Sequence, residues 1–161
     1  MQTSRITVGW GVALGATVAL ALAAIAPVAL SDPWSGLLHH GFSGICHQLP
    51  ERSIHLLGEP IALCHRCTGM LVGLVAGLVV AVAPRADLEA VRSSRQGLWL
   101  VVAVLPTGID WVLGATGVWA NTPGSRVSTG MIFGIAAGII LAANLLVSRA
   151  DASRLPLPHA V

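Results

Sequence analysis

Apolar positions fall into four long blocks, at about residues 8–30, 68–83, 97–119 and 129–147, and polar residues are concentrated in the gaps between them. A helix needs roughly 20 residues to cross a bilayer. The second block is short, and it is expected to recruit residues 61–67 as an interfacial first turn or to sit beside a locally thin bilayer. The pattern predicts an all-α membrane protein, a bundle of four transmembrane helices with a long outer loop at residues 31–67 between the first two.

The first block also has the layout of a cleaved signal peptide, because Arg5 precedes it and small residues follow. Its apolar run exceeds the roughly 7 to 15 residues of a signal core, and Pro27 sits poorly beside any Ala-x-Ala site. A retained anchor is therefore the expectation. Composition agrees: 55% of the 161 residues are hydrophobic and 10% are charged, against about a quarter charged in soluble domains. One transmembrane domain over residues 1–148 and a flexible cytoplasmic tail over 149–161 are expected. A net charge of +2, spread along the chain, argues against nucleic acid as a partner; the expected partner is the lipid bilayer.

Arginine placement suggests the orientation. Arg5, Arg85, Arg92, Arg95, Arg149 and Arg154 fall in the N-terminus, the second gap and the C-terminus, whereas Arg52, Arg66 and Arg126 fall in the first and third gaps. By the positive-inside bias both termini are expected in the cytoplasm of a bacterial or archaeal cell, with loop 31–67 outside.

The second and fourth blocks share a motif. Cys67-Thr68-Gly69-Met70 aligns without a gap on Ser128-Thr129-Gly130-Met131, the match continues to Gly77 and Gly138, and Arg66 and Arg126 stand just before the two copies. Convergent membrane composition would explain part of this, but the Thr-Gly-Met entries and three glycines in phase favour an internal repeat, two duplicated helical hairpins. Both copies run in one direction, so the relating axis would lie along the membrane normal. Glycines at steps of four form one stripe on a helix, and such stripes let membrane helices approach closely. The second and fourth helices are expected to meet at the bundle centre.

All three cysteines lie in the first gap or at its end: Cys46, beside His47, then Cys64 and Cys67. Cys64 and Cys67 share a face at a helix entrance, where the dipole and Arg66 favour thiolate. With Cys46 and His47 they would make a tetrahedral Cys3His set suited to zinc, and His65 is the competing fourth ligand. A disulfide with one thiol left over is the alternative. His39, His40 and His55 form a polar patch of the same loop.

Asp110 is the only acidic residue inside any block. Counted back from Trp119 it should lie roughly 13 Å below the outer end, where a carboxylate is costly unless paired and marks a functional site. It is the candidate catalytic acid or base, or else the ion-pair partner of Arg66 or Arg126. Pro106 makes the helix irregular just before it. Arg66, Arg126, Asn121, Thr68 and Thr129 are the candidate substrate-binding residues, converging with two helix N-termini on a phosphate, carboxylate or lipid head group. Helix capping and snorkelling arginines are the structural counterpart of that reading.

Cys46-His47-Gln48, Pro50 with Arg52-Ser53, Cys64 with Arg66-Cys67-Thr68-Gly69, Asp110, Asn121, and Arg126 with Thr129-Gly130 together resemble the small predicted membrane proteins of domain-of-unknown-function family 2085. The resemblance spans about residues 46–138 and implies an architecture and a polar site, with no named activity. In topology alone the chain is also similar to quinone-linked thiol oxidases, although three cysteines cannot make the two pairs of their relay. Three functions follow as expectations: a zinc-dependent membrane enzyme acting on a lipid-linked or anionic substrate, a thiol-disulfide oxidoreductase coupled to quinone, and a non-catalytic membrane subunit with a structural metal.

Overall fold

A computed structural model describes residues 2–82, 88–91 and 95–147. Arg85, Arg92, Arg149 and Arg154, on which much of the expected orientation rests, and the tail over 149–161 lie outside the described residues. Among the described residues six α-helices and one hairpin follow in order: α1 (Gln2–Ile25), α2 (Trp34–Ser43), β1 (Ser53–Leu56), β2 (Glu59–Cys64), α3 (His65–Val80), α4 (Leu88–Val91), α5 (Gln96–Ala115) and α6 (Pro123–Val147).

Among the described residues three stretches are long and apolar enough to cross a membrane: Val8–Val28, Gln96–Ala115 and Pro123–Leu146. Large apolar side chains on α5, among them Leu98, Trp99, Val101, Leu105 and Ile109, are more than half exposed, which water would not tolerate over such an area and lipid would. The second expected span is the apolar helix α3, and it has only 16 residues. That is about 24 Å of helix, short of a hydrocarbon core of about 30 Å.

α3 and α6 form the most extensive helix pair, and glycine makes it possible. A Cβ on Gly69 would collide with the Val127 carbonyl, on Gly73 with that of Met131 and on Gly77 with that of Ile135. Reciprocally, Gly130, Gly134 and Gly138 lie against the carbonyls of Arg66, Met70 and Leu74. The two helices therefore run in the same direction at backbone contact. α1 runs the other way: Trp10 donates from its indole N–H to the Leu78 carbonyl at 3.0 Å. So does α5, since Gln96 meets Asn144 near one end of the pair at 3.0 Å and Thr107 donates to the Thr129 carbonyl at 2.9 Å.

The expected outer loop is not wholly irregular, and the all-α expectation is corrected by a small antiparallel sheet. β1 and β2 pair Leu56 with Glu59, leaving a two-residue loop of Leu57 and Gly58. Both have positive φ, 54° and 91°, the I′ conformation whose twist matches the flanking strands. Ile61, Ala62 and Leu63 of β2 are buried with Ala24 and Phe42. This small core seats the hairpin on the end of α1 and on α2, and its edge carries the cysteines.

Candidate functional site

The hairpin register decides which side chains meet. Ser53 pairs with Cys64, so the chain just before β1, ending in Arg52, lies beside the chain entering α3. Cys64 caps α3, while Cys67 lies in its first turn. Cys46 is held back against them: the Cys64 N–H donates to its Sγ at 3.2 Å. Its loop is pinned by Gln48, which donates to the His39 carbonyl at 2.8 Å and meets His39 Nδ1 at 3.3 Å.

The three sulfurs lie within 4.8 Å of one another, and no fourth His, Cys, Asp or Glu among the described residues joins the group. All three are free thiols. The hydrogen bond from the Cys67 thiol outweighs burial and pulls Cys64 down to about 4, helped by the Cys67 N–H, the Cys46 thiol and the Arg66 N–H. Sulfurs bound at about 2.3 Å to a tetrahedral ion lie about 3.8 Å apart, a spacing the trio reaches by small side-chain rotations. The donor set fits a thiophilic ion. His47 lines the cavity that the cysteines border. His65 stands between Cys64 and Cys67 in sequence, and its Nδ1 is buried without a hydrogen-bond partner.

That cavity, about 220 Å³, runs from Cys46, Cys64 and Cys67 to Arg52, Arg66, Trp111 and Arg126. A smaller polar one of about 100 Å³ shares Arg52, Arg66, Trp111 and Arg126 and adds Gly114 and Asn121. Behind it Asp110 is buried and ion-paired with Arg66. Asn121 donates to the carboxylate at 2.9 Å and to the Asp110 backbone carbonyl at 2.5 Å. Asn121 reaches in because Gly114 leaves room; a Cβ there would fall on its side-chain amide. Gly117, with φ 72°, helps turn the chain back toward α5. Since α5 ends at Ala115, Asp110 lies five residues, about 8 Å, from the helix end, shallower than the sequence suggested.

Of the expected binding residues, Arg66, Arg126 and Asn121 come together. Thr68 and Thr129 do not line either polar cavity; their hydroxyls bond back one turn, Thr68 to the Cys64 carbonyl at 3.0 Å and Thr129 to that of Ser125 at 2.8 Å. Arg52, Trp111, Gly114 and Gln48 were not among the expected site residues. Arg52 and Gln48 stand in the motifs quoted above, and that was their only signal.

The family model described as "Predicted membrane protein (DUF2085)" matches residues 46–140, which holds the three cysteines, Asp110, Asn121 and both Thr-Gly-Met motifs. An uncharacterized protein of Methanocaldococcus jannaschii is 29% identical over 97 residues, 60% of this chain and 61% of that protein. One of Methanothermobacter thermautotrophicus is 28% identical over 99 residues, 62% of this chain and 86% of that protein. The match thus spans about three fifths of the M. jannaschii relative. No solved structure matches. With well over half of its length inside the family model, the chain belongs to this family of predicted membrane proteins.

Proposed function

We propose that the chain is a membrane metal protein in which Cys46, Cys64 and Cys67 hold one ion, zinc in the first instance, at one end of a cavity whose other end binds an anionic substrate. The observation that carries this reading is the convergence of all three cysteines of the chain within 4.8 Å, on a cavity that also contains Arg66 and Arg126. Three protein ligands leave a fourth position for water, substrate or His47. When bound there, the ion would supply a Lewis acid beside the cavity. Arg66 and Arg126 orient the anion, while Asn121, whose amide donates to Asp110, lines the pocket and holds that carboxylate in place. Asp110 acts on the anion through Arg66, which it holds in place, so its role is positioning.

The four-span arrangement belongs to the same proposal. α1, α3, α5 and α6 alternate in direction, and the short α3 crosses against α6 with the hairpin core at its start. A duplicated origin is supported by the reciprocal glycine contacts: Gly69 and Gly130, Gly73 and Gly134, and Gly77 and Gly138 each meet the carbonyl of the residue three before their counterpart. The cysteine end is proposed to face outward, as the arginine bias suggests.

The test is elemental analysis of the purified full-length protein together with counting of free thiols. About one zinc per chain, with three thiols open to alkylation only after chelation, supports the reading. A metal-free protein with Cys64 and Cys67 in a disulfide would instead favour a thiol-disulfide oxidoreductase, in which a quinone takes the two electrons and two protons released as the dithiol closes to a disulfide.

A further inference from the structure

The cavity of the cysteines adjoins a third, apolar one. A groove of about 280 Å³ is bounded by α1, α2, α3 and α6 and lined by Leu20, Phe42, Leu71, Phe133 and Ala137 among others. It shares Ile45 and Cys67 with the cavity of the cysteines, which shares its arginines with the smaller polar pocket. Apolar groove, sulfurs and the three arginines Arg52, Arg66 and Arg126 therefore adjoin in that order.

Charge narrows what could lie across them. Arg66 is neutralised by Asp110. Among the described residues Arg52 and Arg126 have no carboxylate partner, so two positive charges stand uncompensated in the small polar pocket. Snorkelling toward water would satisfy two arginines separately, but it does not explain why they line the same small pocket. Nor does it explain the buried Nε of Arg66, a donor with no hydrogen-bond partner. A phosphate monoester carries about −1.5 to −2 at neutral pH and offers three acceptor oxygens, matching two free guanidiniums and a spare donor. A phosphodiester or a carboxylate, with one charge, would leave one arginine uncompensated. The groove beyond Cys67 offers an aliphatic tail a protein-lined place among Leu20, Phe42 and Phe133.

We propose that the ligand of this site is a lipid phosphate monoester, with its head group on Arg52, Arg66 and Arg126 and its tail in the groove between α1 and α6. This names the substrate class of the metal site proposed above and rests on that reading for its chemistry, though not for its binding. Asn121 completes the head-group pocket. A divalent ion on three thiolates is itself one unit negative, and the smallest cavity holds the arginines without the sulfurs, so head group and metal centre occupy separate ends.

The test uses the full-length protein in phosphatidylcholine nanodiscs, with phosphatidic acid, phosphatidylglycerol or inorganic phosphate added, and lipid stoichiometry and zinc content read in the same samples. Phosphatidic acid should be retained at one per chain and at least tenfold over phosphatidylglycerol. The Arg52→Gln, Arg126→Gln double variant should lose that preference. Ala137→Leu, which fills the groove, should weaken phosphatidic acid at least fivefold while leaving inorganic phosphate unchanged. Equal retention of the two lipids overturns the proposal, as does an unaffected double variant. A groove variant that changes nothing shows an anion site without a tail site and also overturns it. In the wild-type protein, zinc without any lipid preference would sink the lipid proposal alone, whereas lipid preference without zinc would sink the metal reading alone.

Discussion

The guanidinium of Arg66 lies on the carboxylate of Asp110, joining the first turn of α3 to the C-terminal third of α5 across 44 residues of chain. Asn121 completes the clamp from the segment that leads into α6. Three helices are thereby fixed around one buried charge pair, directly behind the cationic pocket.

Breaking that pair should be costly. Asp110→Asn leaves Arg66, whose side chain is only 18% exposed, without its counter-charge, and removal of one partner of a buried pair costs about 3–5 kcal/mol. A loss near the low end, about 3 kcal/mol, is expected in reversible unfolding from bicelles. Asn121→Ala should cost about 1–2 kcal/mol through its lost hydrogen bonds. Equal stability of Asp110→Asn and wild type would mean that the pair does not hold the bundle.

Reciprocal glycines should respond alike. Gly73→Ala and Gly134→Ala each place a methyl against a backbone carbonyl of the facing helix, and overpacking of this kind costs about 1–3 kcal/mol. The two losses should agree within about 1 kcal/mol, whereas Gly15→Ala, with open space at its Cβ, should be neutral or stabilise the helix by up to about 1 kcal/mol. Unfolding midpoints of the three variants provide the comparison. A large loss at one partner glycine and none at the other would contradict the reciprocal packing.

The cysteines should show their thiolate in the metal-free, reduced protein. Cys64 is drawn down to about 4, chiefly by the Cys67 thiol. Its folded pKa thus lies below its unfolded one, and its contribution to stability is present above about pH 9 and fades as pH falls toward about 4. Alkylation of Cys64 by iodoacetamide should already be substantial at pH 6 and nearly flat above it, read by peptide mass spectrometry. A rate that climbs tenfold per pH unit up to pH 8 would identify an ordinary thiol.

Residue spacing made some features legible in the sequence and hid others. The glycine stripes were legible because a period of four on a helix leaves them no face but one. That Asp110 would pair with an arginine was legible, because an unpaired carboxylate in an apolar block is too expensive to leave alone, but the choice of Arg66 over Arg126 was not. The hairpin was missed because Leu57-Gly58 lacks the Asn-Gly or Asp-Gly signal of a I′ turn, and its strands are only four and six residues long. Pro123 at the first position of α6 was an available start signal, and it places that helix six residues earlier than the apolar pattern did. The docking of Asn121 against Gly114 depends on how the chain turns after α5, and no periodicity records it. His47 follows Cys46 in sequence and lines the same cavity but lies outside the group of three sulfurs, since neighbours along an irregular loop need not point one way.

The most direct measurement is metal content by inductively coupled plasma mass spectrometry on the full-length protein and on Cys46→Ser, Cys64→Ser and Cys67→Ser. One zinc per chain in the wild type, lost or reduced at least tenfold in each of the three variants, is the predicted result. A wild-type protein purified without any thiophilic metal, and unable to bind added zinc when its thiols are reduced, would contradict the metal centre.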